Sequence, residues 1–366
     1  MLALFAASVV VVLVQQAIGH VDYNFAIFRQ SFYHLAAGRD LYAAYPAEQV
    51  DLFKYSPTFA ALFAPFALLP TLVALLLWNG LNVLLLWYAI RRLLPPRQAN
   101  VALALMFLEV VRTTQRAQSN ALVTALMVLG YVWMEERRQL AAACAVVLGA
   151  GVKLFPLLAI IPAIFHPRRA RMALLAVGTG VVAVLLPLAV TTIAVLQEQY
   201  LSWKALESLD AVAGASGGAA GLYGGVMHWV RLVFRAEWPN WTIQLAGGLV
   251  LVAPLARREQ WGASSFRLRV LASILIFCTI FNHQVESPSF VIAMTGIAIW
   301  YVTSNRRWSD ALIMGAVLLV VSLSTSDLLP AEIRTFVVRY KIRTLPCVAV
   351  WLLLQAELLG VRRCDR

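Results

Sequence analysis

Apolar runs recur from one end of this chain to the other, and paired arginines stand in the turns between them. The runs cover roughly residues 2–19, 71–90, 98–111, 119–134, 139–152, 154–165, 172–196, 241–256, 267–281, 289–303, 310–324 and 344–360. Each is apolar on all faces, whereas a helix on the surface of a soluble core carries one apolar stripe. A bilayer core about 30 Å thick accepts only structures that satisfy their own backbone, helices first among them. The expected fold class is therefore all-α: a polytopic membrane helix bundle of about twelve transmembrane helices, with tilted or broken members where the runs are short. With 61% of residues hydrophobic, 13% charged and a mean hydropathy of +0.77, no soluble class competes. Residues 1–19 lack a basic leader and no A-x-A site precedes Asp22, so this run reads as a first span and not as a signal peptide.

Charge sorts the turns into two kinds. Arg91-Arg92 with Arg97, Arg137-Arg138, Arg168-Arg169 with Arg171, Arg257-Arg258, Arg306-Arg307 and Arg362-Arg363 form six basic corners, which the positive-inside rule assigns to the cytoplasm. The net charge of +12 then answers to insertion topology and anionic headgroups, and nucleic acid is not an expected partner. The remaining corners hold Asp22 to Lys54, the stretch RTTQRAQSN from Arg112 to Asn120, Lys153, a long loop from Gln197 to about Asn240, NHQVESPS from Asn282, and Asp327 to Thr344. All four lysines, Lys54, Lys153, Lys204 and Lys341, fall on this second side. Either long loops carried them across regardless of charge, or an anionic ligand waits there.

Asp22 sits at the edge of the first span, where a carboxylate is costly without a task. It reads as a helix N-cap, as a general base, or as both. Lys54, Arg112, Arg116 and Lys153 are candidate phosphate ligands, and Lys153 is the most telling because it interrupts AVVLGAGVKLFPLLAII. Snorkelling and a solvated turn are the plainer readings for Lys153 and for the 112–120 corner. Tyr55, Gln118, Asn120, His283 and Glu286 are candidate substrate-binding groups, with a capped helical corner as the plain reading for the last two. In Tyr23–Leu35 the residues Phe25, Phe28, Phe32 and Leu35 recur at helical spacing and predict an interfacial helix. The loop 211–225 is rich in Gly and Ala and suits a lid or a linker. The charges of AEIRTFVVRYKIR predict a basic interfacial helix against phospholipid heads. Cys144, Cys278, Cys347 and Cys364 show no paired spacing and the five histidines no ligand pattern, so neither a disulfide framework nor a metal site is expected, and no cofactor.

The order of motifs is similar to glycosyltransferase family 87, in the GT-C superfamily. Asp22 is followed by Gly38-Arg39-Asp40-Leu41-Tyr42 for a G-x-x-L-Y step, Tyr55-Ser56-Pro57, Pro65 to Pro70, and Trp78-Asn79. Ala117-Gln118-Ser119-Asn120 matches a G-Q-x-N corner and Lys153-Leu154-Phe155-Pro156 a K-x-x-P corner. The resemblance covers about residues 15–190 and fades beyond, giving a better-matched N-terminal module (1–190) and a more variable C-terminal part (191–366) of one integral membrane domain. It implies a GT-C-type bundle with interfacial helices in its first outer loop. It implies Asp22 as catalytic base, a polyprenyl-phosphate sugar donor, most often mannose, and a lipid or glycan acceptor at the extracytoplasmic face of the cell membrane. Two departures stand out: Tyr55-Ser56-Pro57 where a double proline is more usual, and Ala117 where glycine precedes Gln118. A lipid or sugar transporter is the main alternative. It calls for repeat symmetry and broken helices at mid-membrane, and a non-catalytic scaffold needs no polar groups gathered on one side.

Overall fold

A computed structural model describes residues 1–19, 23–216, 224–235, 238–304, 307–326 and 328–361. Among these residues no strand occurs, and a helix stands at every apolar run. The chain is all-α. Three helices are long and apolar enough to cross a membrane: Leu2–Gly19, Thr71–Leu93 and the stretch Arg169–Ala189. Seven more apolar helices are shorter. The run at 154–165 is wound as a tight 3-10 helix, Phe155–Phe165, with Pro156 and Pro162 inside it, and Leu318–Leu323 is π-helical.

The described residues form two compact units. The first takes residues 1–94 and 110–210. It holds α1 (Leu2–Gly19), α2 (Tyr23–Ala36), α3 (Pro57–Leu62), α4 (Ala64–Ala67), α5 (Thr71–Leu93), the last turns of α6 (Pro96–Gln115), α7 (Asn120–Glu135), α8 (Gln139–Val152), α9 (Arg169–Leu185) and most of α10 (Ile193–Ser216). Within it α5 packs on α1 and α7, α7 on α8, and α8 on α9.

Two expectations change, for α2 and for the stretch 197–240. The apolar stripe of α2 does not face lipid: Phe25, Phe28, Phe32 and Leu35 are all buried. Phe28 makes edge contacts with Tyr55, Phe59, Phe63 and Trp78 at 5.0–5.8 Å, so the stripe is the lid of an aromatic core. The run 58–69 is two short helices, α3 and α4. Pro57 opens the first, with Ser56 as N-cap accepting from the Phe59 amide at 3.2 Å. Much of the expected loop 197–240 is also helical. α10 runs to Ser216, α11 (Val226–Phe234) follows, and residues 217–223 of the Gly/Ala-rich stretch lie outside the described residues.

The second unit takes residues 95–109 and 211–366. It holds the start of α6, α11, α12 (Asn240–Val252), α13 (Ser264–Ile280), α14 (Phe290–Thr303), α15 (Trp308–Val317), α16 (Ala331–Arg339) and α17 (Thr344–Leu358). α13 packs on α14 and α17. The basic stretch 334–343 does not lie wholly at the surface. α16 exposes Ile333, Phe336 and Val338, but Lys341 and Arg343 turn inward. Arg343 Nη2 meets Glu109 Oε2 at 2.8 Å, its Nε donates to the Val321 carbonyl, and its guanidinium lies 4.2 Å over the Phe290 ring. Both charges are buried, and removing either would strand the other in apolar surroundings.

Candidate active site

The α7–α8 hairpin has a polar end, made of the turn before α7 and the residue after α8. The turn residue Ala117 has φ +48°, a left-handed conformation that costs a non-glycine residue about 1–2 kcal/mol. That is the physical reason for glycine in the G-Q-x-N pattern. The Ala117 carbonyl accepts from Trp78 Nε1 at 2.8 Å, which ties the turn to α5. Below it Gln16 reaches the Thr114 carbonyl at 3.2 Å and accepts from Asn79 Nδ2 at 2.9 Å, and Asn82 accepts from the Leu122 amide. The helices α1, α5, α6 and α7 are thus fastened under one corner.

On that corner the sequence candidates converge. Lys153 is the C-cap of α8, in extended backbone, and its Nζ donates to Asn120 Oδ1 at 2.8 Å. The same ammonium lies 5.4 Å from the Tyr55 ring centroid. Tyr55 Oη donates to Gln118 Oε1 at 3.1 Å. Gln118 Nε2 donates on to Asn24 Oδ1 at 3.2 Å, and Asn24 Nδ2 to the Arg116 carbonyl at 2.8 Å. Tyr55, Gln118 and Asn120 are buried and Lys153 half-buried. Ser56 donates to the Gly151 carbonyl, which locks the Tyr55-Ser56-Pro57 step against the end of α8. In the same corner Ser119 Oγ is buried without a hydrogen-bond partner among the described residues.

The first loop is clamped beside this corner. Gly38 takes φ +68°, the Leu41 amide donates to Gln199 Oε1 at 2.9 Å, and Tyr42 Oη donates to the Tyr55 carbonyl at 2.9 Å. So the G-x-x-L-Y residues anchor the loop to α10 and hold Tyr55 from behind. Glu48 bridges His34 Nε2 at 2.6 Å and Arg39 Nη1 at 3.1 Å, and these two bonds hold its carboxyl below the ordinary glutamate range.

The remaining sequence candidates occupy other positions along the chain. Lys54 is half-buried and precedes Tyr55. Arg112 is half-buried on the last turn of α6, and Arg116 enters the network through its carbonyl while its side chain is exposed. Asp22 lies outside the described residues. His283 and Glu286 belong to the second unit, where Glu286 caps the short turn Ser287–Ser289. Nearby in that unit Trp229 Nε1 donates to the Lys341 carbonyl, and burial, with the Lys341 charge second, lowers the His228 pKa. Among the described residues no three His, Cys, Asp or Glu side chains gather as a metal-binding set. Asn24 is the residue that motif reading missed. Its signal is a polar side chain at the start of α2, two positions after Asp22.

What this end of the hairpin offers chemically is one ammonium, a phenol and several amides, assembled in a rigid frame beside apolar helices. Such a set hydrogen-bonds anionic oxygens and sugar hydroxyls. The family model of glycosyltransferase family 87 matches residues 53–281, more than half of the chain. The match spans Lys54, Tyr55, Arg112, Arg116, Gln118, Asn120 and Lys153. It begins beyond Asp22 and runs further into the C-terminal half than the motifs alone reach. No curated protein matches the chain. From the matched span and the residues within it, the chain belongs to glycosyltransferase family 87 and is a glycosyltransferase.

Proposed function

We propose that the protein is an integral membrane hexosyltransferase that moves a sugar, mannose first among the candidates, from a polyprenyl-phosphate donor to a lipid or glycan acceptor at the extracytoplasmic face. The single observation that carries this reading is the network Lys153–Asn120 and Tyr55–Gln118–Asn24, whose last member lies two residues from Asp22. In the proposed reaction the acceptor oxygen attacks the anomeric carbon and the carbon–oxygen bond to the donor phosphate breaks. The acceptor proton passes to the Asp22 carboxylate, and polyprenyl phosphate leaves with the bonding electrons. One displacement inverts the anomeric centre. Lys153, with Lys54, Arg112 and Arg116, would take up the charge that grows on the departing phosphate. Tyr55, Gln118 and Asn120 would hold donor hydroxyls. The lipid tail would follow exposed apolar helix faces, and the twelve-span topology with both termini inside would set this corner on the outer surface.

The test is purified full-length protein given radiolabelled polyprenyl-phosphate mannose and a panel of lipid acceptors. Label should move to one acceptor class with a mannose of inverted configuration. Movement of intact donor across a vesicle membrane, with no transfer to any acceptor, would replace this reading with a flippase.

A further inference from the structure

The far end of the same hairpin carries a second cluster that the transfer reaction does not use. α7 has 16 residues and α8 has 14, so the two ends lie about 20–24 Å apart at 1.5 Å per residue. Here the α7–α8 turn meets the turn between the 3-10 helix and α9. Between them is a cleft of about 170 Å³, lined by Met134, Arg137, Gln139, Ala163, His166, Pro167, Arg168 and Met172. That is large against the roughly 10–15 Å³ that admits one water.

The two turns are held in place without their arginines. Gln139 Nε2 donates to the Arg168 carbonyl at 3.3 Å and bridges them. Arg137 takes φ +61°, a left-handed conformation that non-glycine residues rarely adopt, and it is exposed. Its neighbours are spoken for: Arg92 and Arg138 meet the Glu136 carboxylate, and Arg138 lies 5.8 Å over the Trp133 ring. The guanidiniums of Arg137 and Arg168, by contrast, have no hydrogen bond or ion pair among the described residues. His166 Nε2 is buried 3.4 Å from Glu135 Oε1 without hydrogen-bond geometry.

The other walls of the cleft are apolar, and α9 starts at its rim. That helix is the most lipid-like of the long ones: only 17% of its span is buried, with Leu174, Val177, Val181 and Val182 exposed. A cationic pocket continuous with an exposed apolar helix suits a ligand with an anionic head and a greasy tail. A soluble anion would have no use for α9. We infer that this cleft binds the phosphodiester headgroup of an anionic phospholipid, with Arg137 and Arg168 on the phosphate oxygens and an acyl chain along α9. On the sidedness proposed above it faces the inner leaflet, where anionic lipids concentrate.

The experiment uses the full chain purified in neutral detergent and titrates lipids by native mass spectrometry, so it reads binding and involves no sugar transfer. Phosphatidylglycerol should bind in preference to phosphatidylcholine. The variant Arg137→Gln/Arg168→Gln should weaken that binding roughly 30-fold, and either single change about fivefold, on about 1 kcal/mol per basic residue near a headgroup. Neither arginine has a buried partner to strand, so folding should be intact. The charge-matched control Arg97→Gln/Arg258→Gln should bind as the unmodified chain does. Equal loss in the control would reduce the effect to general surface charge and overturn the inference. So would equal binding of phosphatidylcholine, unchanged binding in the double variant, or millimolar inorganic phosphate displacing the lipid completely.

Discussion

The two ends of the α7–α8 hairpin are built from the same parts and finished differently. Both turn through a left-handed non-glycine residue, Ala117 at one end and Arg137 at the other. At the polar end the side chains face inward and bond one another: Tyr55 to Gln118, Gln118 to Asn24, Lys153 to Asn120. At the basic end Arg137, Arg138 and Arg168 are exposed, and the ion pairs of Glu136 lie at the surface. Charge in the open is cheap and replaceable, since exposed ion pairs contribute about 0–1 kcal/mol. Polar groups in a buried frame are neither, because each loss strands a partner. A fixed frame of donors is what group transfer needs, and a loose cationic surface is what a membrane face needs.

The largest expected difference between the ends is their accessibility. In sealed cells, cysteine introduced as Val50→Cys, in the loop clamped beside the polar end, should react with a membrane-impermeant thiol reagent. Arg137→Cys should react only after permeabilisation. Labelling in the opposite sense would dissolve the sidedness on which the proposed outer-face reaction depends.

Next in size is the response of donor binding. Lys153→Met removes the ammonium but keeps the length of the side chain. It should weaken polyprenyl-phosphate sugar binding by about 1.5–3 kcal/mol, the range for a hydrogen bond to a charged group, or about 10–150-fold. Arg137→Gln should leave donor binding as it was. Equal sensitivity of the two ends would mean that the donor reads general charge and not the built corner.

How much of this was legible in the sequence varies by residue. The helices were, because runs apolar on every face admit few other structures. The partner of the α2 stripe was not: lipid and protein interior are equally apolar, so Phe25, Phe28 and Phe32 look the same facing either one. α10 was hidden because its polar residues, such as Gln199, suggest a loop, and only the structure shows Gln199 holding the Leu41 amide. The Arg343–Glu109 pair joins residues 234 positions apart and leaves no local trace. At the candidate site the motif order named Tyr55, Gln118, Asn120 and Lys153, while Asn24 belongs to no motif and emerges only from its bonds.

The smallest expected effect concerns the turns themselves. Ala117→Gly should relieve left-handed strain and raise thermal stability by no more than about 1 kcal/mol, since glycine returns part of the gain as chain entropy. Arg137→Gly should do the same at the other end. A loss of stability at Ala117 would show that its methyl group fills space the frame needs.

The central claim is that Asp22 delivers the base to the polar end, and isosteric replacement tests it most directly. Asp22→Asn keeps the volume and most of the capping ability of the side chain but not its basicity. Turnover and donor affinity should be measured together for Asp22→Asn, Asp22→Glu and Asp22→Ala. The account predicts that the Asn variant inserts, stays monodisperse and binds donor, yet loses about 10²–10⁴ in turnover. Near-normal transfer by Asp22→Asn would contradict it and pass the role to another carboxylate, with Glu286 next to be tested.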